Sequence, residues 1–420
     1  MLEFHRLRIA ELQPDADDAV AVALDVPQEL RSEYVGLAGQ HIVLRAELDG
    51  AEARRTYSLT NAPGEWPLRI VARVHENGRM SRHLAEQLKV GDRIDVLPPN
   101  GSLTPRWAKR APGARTYVGF ASGCGITPVI AVIKAILQED PGNQFILFYG
   151  NSNTSRVMCL EALLGLKDQF MHRLALHFVM SREPQEVDLY NGRLDASRVR
   201  ELAHTLFKAD QVAEFFVCGP GDMIEQVSGV LRELNVGADR IHSEHFTDAA
   251  GAYGAADGHH AATVAADRGA TVVTVASDRG TAAGTVATGY GTTAEDVGSA
   301  AGTVSAAGNV RTRLDASPPE APLLAADTAA VTVLMDGRRR TFTMQMNDET
   351  VLDAASRAGL DLPFSCRAGV CSTCRTKVIC GEVEMAQNYA LEDWELEQGY
   401  VLACQSRVKT PTLELDYDEK

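Results

Sequence analysis

The chain has 420 residues with 45% hydrophobic and 23% charged side chains, the make-up of a soluble protein of roughly two to four domains. Acids outnumber bases by 56 to 41, giving a formal charge of -15, which argues against nucleic acid and anionic membranes as main partners because both select basic patches. No apolar run is long enough for a transmembrane helix, and Met1-Leu2-Glu3-Phe4-His5-Arg6 lacks the pattern of a signal peptide, so a cytoplasmic protein is expected.

The first hundred residues read as β structure. The runs 39–48, 55–60 and 68–74 are short, β-rich and separated by turn residues, with one helix over 80–88. Close-spaced short strands suggest a small antiparallel barrel. From about residue 114 the pattern changes. Buried strands are expected at 116–120, 144–149, 174–180 and 214–218, with helices at 129–137, 160–170 and 221–234. Strands alternating with helices predict a parallel α/β sheet.

Residues 249–310 are mostly Gly, Ala, Ser and Thr. Taken alone they bury too little apolar surface to offset chain entropy, so a disordered linker over 249–328 is expected. The Val/Thr alternation at 271–275 is a weak strand signal within it. A folded unit resumes near Val331. Two strands flank Asp336-Gly337, a hairpin signal, and a helix is expected over 349–358. A cysteine-rich loop, a strand at 376–379, a short helix at 391–396 and strands at 400–403 and 412–417 follow.

That loop carries the sharpest chemical signal. Cys366, Cys371 and Cys374 have the spacing C-x4-C-x2-C, and Cys404 follows 30 residues later, the plant-type [2Fe–2S] pattern. Four thiolates suit iron and sulfide, and Gly369 gives the loop a backbone freedom other residues lack. Structural zinc is the weaker reading, because only one C-x2-C unit occurs. Cys159 and Cys380 read as packing residues.

Four further motifs are weak singly and strong in order. Arg55-Thr56-Tyr57-Ser58 ends a barrel strand and offers a cationic fork, an aromatic ring and a hydroxyl. Gly78-Arg79-Met80-Ser81 opens a helix, where free N–H groups favour phosphate. Gly123-Cys124-Gly125-Ile126-Thr127-Pro128 and Cys218-Gly219-Pro220-Gly221-Asp222-Met223 each follow a strand, where parallel sheets place ligands. Ser181-Arg182 ends another strand and could hold a ribose 2′-phosphate; NADH would favour a carboxylate there, and Glu183 is adjacent.

This order resembles the ferredoxin–NADP reductase superfamily, and the C-terminal segments 369–375, 381–385, 390–393 and 399–405 make it similar to reductase components of multicomponent oxygenases, those of phenylacetyl-CoA epoxidase complexes in particular. The resemblance covers 1–247 and about 329–420 and leaves the low-complexity segment without a counterpart. It implies a multidomain β, α/β and α+β protein: a Greek-key FAD-binding β-barrel (1–110), a parallel NAD(P)H-binding α/β domain (111–248), the linker (249–328) and a β-grasp [2Fe–2S] ferredoxin domain (329–420). It implies Arg55, Tyr57, Ser58, Arg73, Gly78, Met80 and Ser81 for FAD. For the nicotinamide nucleotide it implies Gly123, Gly125, Thr127, Pro128, Ser181, Arg182, Cys218, Gly219, Pro220 and Met223, with Phe246 against the flavin. Ser58, Thr127 and Cys218 would frame the reacting rings, and Cys366, Cys371, Cys374 and Cys404 would ligate the cluster. The implied activity is electron transfer from NADPH through FAD and the cluster to an oxygenase of phenylacetate breakdown. A steroid or alkane hydroxylase or a Rieske dioxygenase would be alternative acceptors, and a non-enzymatic redox-sensing iron–sulfur protein is the alternative of another class. The ferredoxin segment has more acids than bases, a surface that could steer a basic partner.

Overall fold

The computed structural model describes residues 3–101, 103, 114–245, 262–267, 270–275, 285–289, 327–391 and 393–419. Three sheets organise them. The first has six strands: β1 (His5–Ala16), β2 (Ala19–Asp25), β3 (His41–Leu48), β4 (Ala51–Ser58), β5 (Leu68–Arg73) and β6 (Arg93–Asn100), in the order β4-β3-β6-β1-β2-β5. All its pairings are antiparallel. Its core gathers Leu7, Ile9, Val22, Ile42, Leu44, Ile70 and Val96. A short helix, α1 (Arg31–Tyr34), precedes β3, and α2 (Arg79–Arg82) follows β5.

The second sheet is parallel. Strands β7 (Thr116–Ser122), β8 (Gln144–Asn151), β9 (Leu174–Met180), β10 (Val212–Gly219) and β11 (Ile241–His245) run in the order β11-β10-β7-β8-β9. Helices α3 (Ile126–Glu139), α4 (Leu160–Gln169), α5 (Ala196–Leu206) and α6 (Gly221–Glu233) connect them. Covering both faces requires continuous apolar strands rather than alternating ones; Tyr117, Val118, Phe120 and Ala121 are all buried, shared between two cores on opposite sides of the sheet. Helix α5 has no clear apolar signal in the sequence, yet its cap is regular: Asp195 accepts the Arg198 N–H.

The third sheet holds β12 (Ala262–Asp267), β13 (Ala270–Val275), β14 (Thr285–Gly289), β15 (Thr328–Met335), β16 (Arg338–Gln345), β17 (Arg375–Met385), β18 (Tyr400–Leu402), β19 (Ser406–Val408) and β20 (Thr412–Asp416), with α7 (Val351–Arg357) and α8 (Asp393–Glu397). Strands β15 and β16 form the expected hairpin, with Asp336 and Gly337 both at positive φ.

Strands β12 to β14 correct the expectation of a structureless linker. β12 pairs antiparallel with β17 from Ala262↔Met385 to Asp267↔Cys380, β13 pairs with β12 and β14 with β13. In isolation the segment could not offset its chain entropy, but it is not isolated. The edge of β17 supplies backbone partners, and Val264 is buried in the third core. The rest of the expected linker lies outside the described residues, as does Phe246.

The three units touch. Arg73 and Arg156 both pair with Asp18, and the Cys159 N–H donates to Asp15, which joins the barrel to the parallel sheet. On the other side, Arg54 of β4 lies over Phe364 at 4.1 Å and reaches Asp361 at 3.4 Å. Thr56 and Ser365 share a 2.7 Å hydrogen bond. Flavin-motif strand and cysteine loop are therefore in direct contact.

Candidate functional site

The cysteine loop is shaped by backbone that ordinary residues avoid. Arg367, Gly369 and Ser372 have φ of 57, 75 and 48°. At Gly369 a Cβ would lie 2.8 Å from the Gln387 carbonyl oxygen, so both dihedral and space call for glycine. The bends bring four thiols together. Cys371, Cys374 and Cys404 are buried and Cys366 is partly so.

The thiols fall into two pairs. A hydrogen bond between Cys366 and Cys371 pushes the Cys366 thiol up and holds Cys371 down, favouring its thiolate. Cys374 and Cys404 repeat this, with Cys374 pushed up and Cys404 lowered. Backbone donors face the sulfurs: Ala368 N–H reaches Cys366 Sγ at 3.4 Å and Cys366 N–H reaches Cys371 Sγ at 3.5 Å. Two thiol pairs on and beside one loop are a donor set that suits a two-iron cluster. These residues fit the group that the spacing implied.

The nucleotide end lies where strands of the parallel sheet stop. The two glycine loops meet there: a Cβ on Gly125 would sit 2.0 Å from the Cys218 carbonyl oxygen. Thr127 is buried and its hydroxyl donates to the Cys124 carbonyl at 2.9 Å. Tyr149 donates to the Gly123 carbonyl at 2.8 Å, where φ is +54°. Pro128 is buried within α3. Pro220 caps α6, and Met223 lies beneath Gly219. Cys218 is fully buried in the core beneath the sheet, and burial pushes its thiol well up.

A large cavity opens beside these loops, lined by Gly123, Ser181, Arg182, Arg193, Pro220 and Met223 among others. Ser181 and Arg182 are held in place by their N–H groups on the Asn151 and Ser152 carbonyls. Glu183 is turned onto Thr154, accepting from its N–H and its hydroxyl at 2.7 Å each; those bonds hold its carboxyl below the usual range. Arg193 and Arg156 also line the cavity, and residue spacing gave no sign of either. Arg73, assigned to FAD by resemblance, faces this same cavity and is occupied by Asp18 and the Arg156 carbonyl.

On the barrel, Ser58 Oγ is buried with no hydrogen-bond partner. A buried hydroxyl is rarely left so, and at the end of β4 it fits a ligand's acceptor or donor, as a flavin ring would supply. Tyr57 beside it packs on the barrel core, and burial raises its hydroxyl. Arg55 is exposed, with its guanidinium on the Arg54 carbonyl at 2.7 Å. Gly78 precedes α2, while Ser81 Oγ is used within that turn by the His75 N–H and the Gly78 carbonyl. Met80 is packed in the barrel core, and the Gly78 N–H and carbonyl are taken by His75 and Arg82. His245 meets the ring of Tyr389 at 5.3 Å, a structural contact across two units.

Family models agree with the three units. The oxidoreductase FAD-binding domain matches residues 16–104, the oxidoreductase NAD-binding domain 120–229, and the 2Fe-2S iron-sulfur cluster binding domain 333–409. The chain is 33% identical over 422 residues to a subunit of 1,2-phenylacetyl-CoA epoxidase from Escherichia coli (strain K12), spanning 100% of this chain and 99% of that one. It is 28% identical to the ferredoxin reductase component of 3-ketosteroid-9-alpha-monooxygenase from Mycobacterium tuberculosis, spanning 98% and 96%. Among solved structures, phthalate dioxygenase reductase matches with a TM-score of 0.50 and 20% identity over 98% of both chains. An intact type IV self-sufficient cytochrome P450 monooxygenase matches at 0.59 and 19% identity, over 98% of this chain and 41% of that one. These two likenesses speak to fold.

Proposed function

The chain belongs to the family of flavin- and iron–sulfur-dependent reductase components that includes its Escherichia coli relative from 1,2-phenylacetyl-CoA epoxidase, and from that premise we propose that NADPH is its electron donor and a phenylacetyl-CoA epoxidase its acceptor. The activity common to the family is electron transfer from a nicotinamide nucleotide through FAD and a [2Fe–2S] cluster to an oxygenase. FAD accepts the two electrons of a nicotinamide together and releases them one at a time, and the cluster carries single electrons.

The protein's residues bind, orient and insulate. The touching loops at Gly125 and Cys218 let the nucleotide approach the barrel without a side chain between them. Ser58 offers its hydroxyl to the flavin, Thr127 braces the first glycine loop, and the Cys218 backbone packs against Gly125 so that the two glycine loops meet. The cluster loop, held on β4 by Thr56 and Arg54, lies against the strand bearing the flavin motif. No general acid or base is required for hydride transfer.

The choice of NADPH rests on one observation. Ser181 and three arginines, Arg156, Arg182 and Arg193, line one cavity together with Asp195 and Asp222, while Glu183, next in the chain to Arg182, is bound to Thr154. A doubly charged 2′-phosphate suits such a wall, and a free ribose diol does not use it. Replacing Arg182 with Ala removes a charge-assisted contact of about 1.5–3 kcal/mol. The KM for NADPH is expected to rise by roughly one to two orders of magnitude, with NADH oxidation unchanged; equal kcat/KM for the two nucleotides in the unaltered protein would refute the assignment. The acceptor is tested by adding the protein to purified phenylacetyl-CoA epoxidase lacking its reductase. Restored NADPH-dependent turnover is expected, and none, with the reductase active on dyes, points to another oxygenase.

A further inference from the structure

One buried histidine has no part in the electron path from nucleotide to cluster. His41 opens β3 of the barrel, and its ring is 1% exposed. Neither ring nitrogen has a hydrogen-bond partner. Its place is fixed on two sides. A Cβ at Gly101, where φ is +123°, would lie 2.9 Å from Nδ1. Glu244 of β11 brings Oε1 to 3.4 Å from the same nitrogen, and its own Oε2 is buried without a hydrogen-bond partner.

His41 also lines a small cavity at which all three units meet. The barrel contributes His41, the parallel sheet contributes Glu244, and the third unit contributes Cys371, Ser372 and Tyr389. Cys371 is one of the four cluster cysteines, so His41 and a cluster ligand line the same small space. Native proteins seldom leave several buried polar atoms unsatisfied around one space, and a polar cavity of such size takes a single water with two or more partners.

We propose that His41 is a positioning residue for the cluster: with Glu244 it holds one water in this cavity, through which a hydrogen bond reaches the Cys371 sulfur. The inference rests on the [2Fe–2S] reading of the cysteine loop. Hydrogen bonds to a cluster sulfur stabilise its more negative, reduced form and so raise its potential. Other sulfur contacts come from the cluster-bearing unit itself, such as Ala368 on Cys366 and Gln405 on Cys404. This one comes from the flavin barrel, so the unit that donates the electron also sets how readily the cluster takes it.

The test uses the full-length holoprotein and an anaerobic redox titration followed by electron paramagnetic resonance. In His41→Leu the cluster midpoint is expected to move to a more negative potential. In His41→Gln, which keeps an N–H donor, it stays near the parental value, and the flavin midpoint is the same in all three. An unchanged cluster midpoint in His41→Leu overturns the proposal. Should the Leu variant fail to fold, hyperfine spectroscopy of the unaltered, reduced protein in 17O-labelled water reads the same bridge. A close water oxygen coupled to the cluster is expected, and its absence is equally fatal. A parental protein with no reducible [2Fe–2S] signal would bring down the cluster reading itself, a result distinguishable from either of the others.

Discussion

In the loop from Cys366 to Cys374, positive φ at three residues bends one short stretch until thiols meet. Around the nucleotide cavity no single stretch of chain builds the site, and residues as far apart as Gly123 and Met223 are gathered because parallel strands end at one rim. The first site is a local device, legible as spacing along the chain. The second is a property of topology, and its residues carry little meaning until the sheet order is known. Local devices concentrate risk in a few atoms, whereas a topological site spreads it over many contacts.

Cys374→Ser should break that contrast most sharply. It removes one member of a thiol pair, so cluster content and acceptor-linked turnover should be abolished, while NADPH-dependent reduction of a dye that accepts from flavin persists. Loss of both activities would mean that the cysteine loop also holds the flavin barrel together. Gly125→Ala tests the opposite end. Its Cβ would collide with the Cys218 carbonyl, an overpacking on the order of 3 kcal/mol, and flavin reduction by NADPH should fall steeply with the cluster spectrum unaltered. A variant that reduces flavin at the parental rate would show that the loops need not touch. Thr56→Val is the mildest change. It deletes the 2.7 Å bond to Ser365, worth about 1 kcal/mol, and should slow flavin-to-cluster transfer in stopped-flow traces without affecting either potential.

Much of the fold is legible in the sequence for physical reasons. Central strands of the parallel sheet are buried on both faces and therefore read as unbroken apolar runs, as at 117–121 and 215–218. The long first strand, β1, escapes such a reading because Pro14 and Asp15 interrupt its pattern, and the register shifts there instead of ending. Helix α5 escapes it because its surface is polar, although Asp195 marks its start. The four cysteines and both glycine loops can be named from spacing. Arg193 and His41 cannot. Each has its setting only through neighbours from distant segments: Arg193 through the cavity rim, His41 through Glu244 and Cys371.

Strands β12 to β14 carry a consequence for the solution behaviour of the whole chain. An uncovered sheet edge is a template on which other copies can add strands. Without β12, the backbone of β17 from Cys380 to Met385 would be such a template within the cluster-bearing unit. The three added strands move that boundary outward to β14, five residues in length, and short borders recruit poorly. A chain shortened by residues 262–289 should therefore keep its cofactors yet self-associate in light scattering as its concentration rises, and a shortened chain that stays monodisperse would show that β17 is protected by other means.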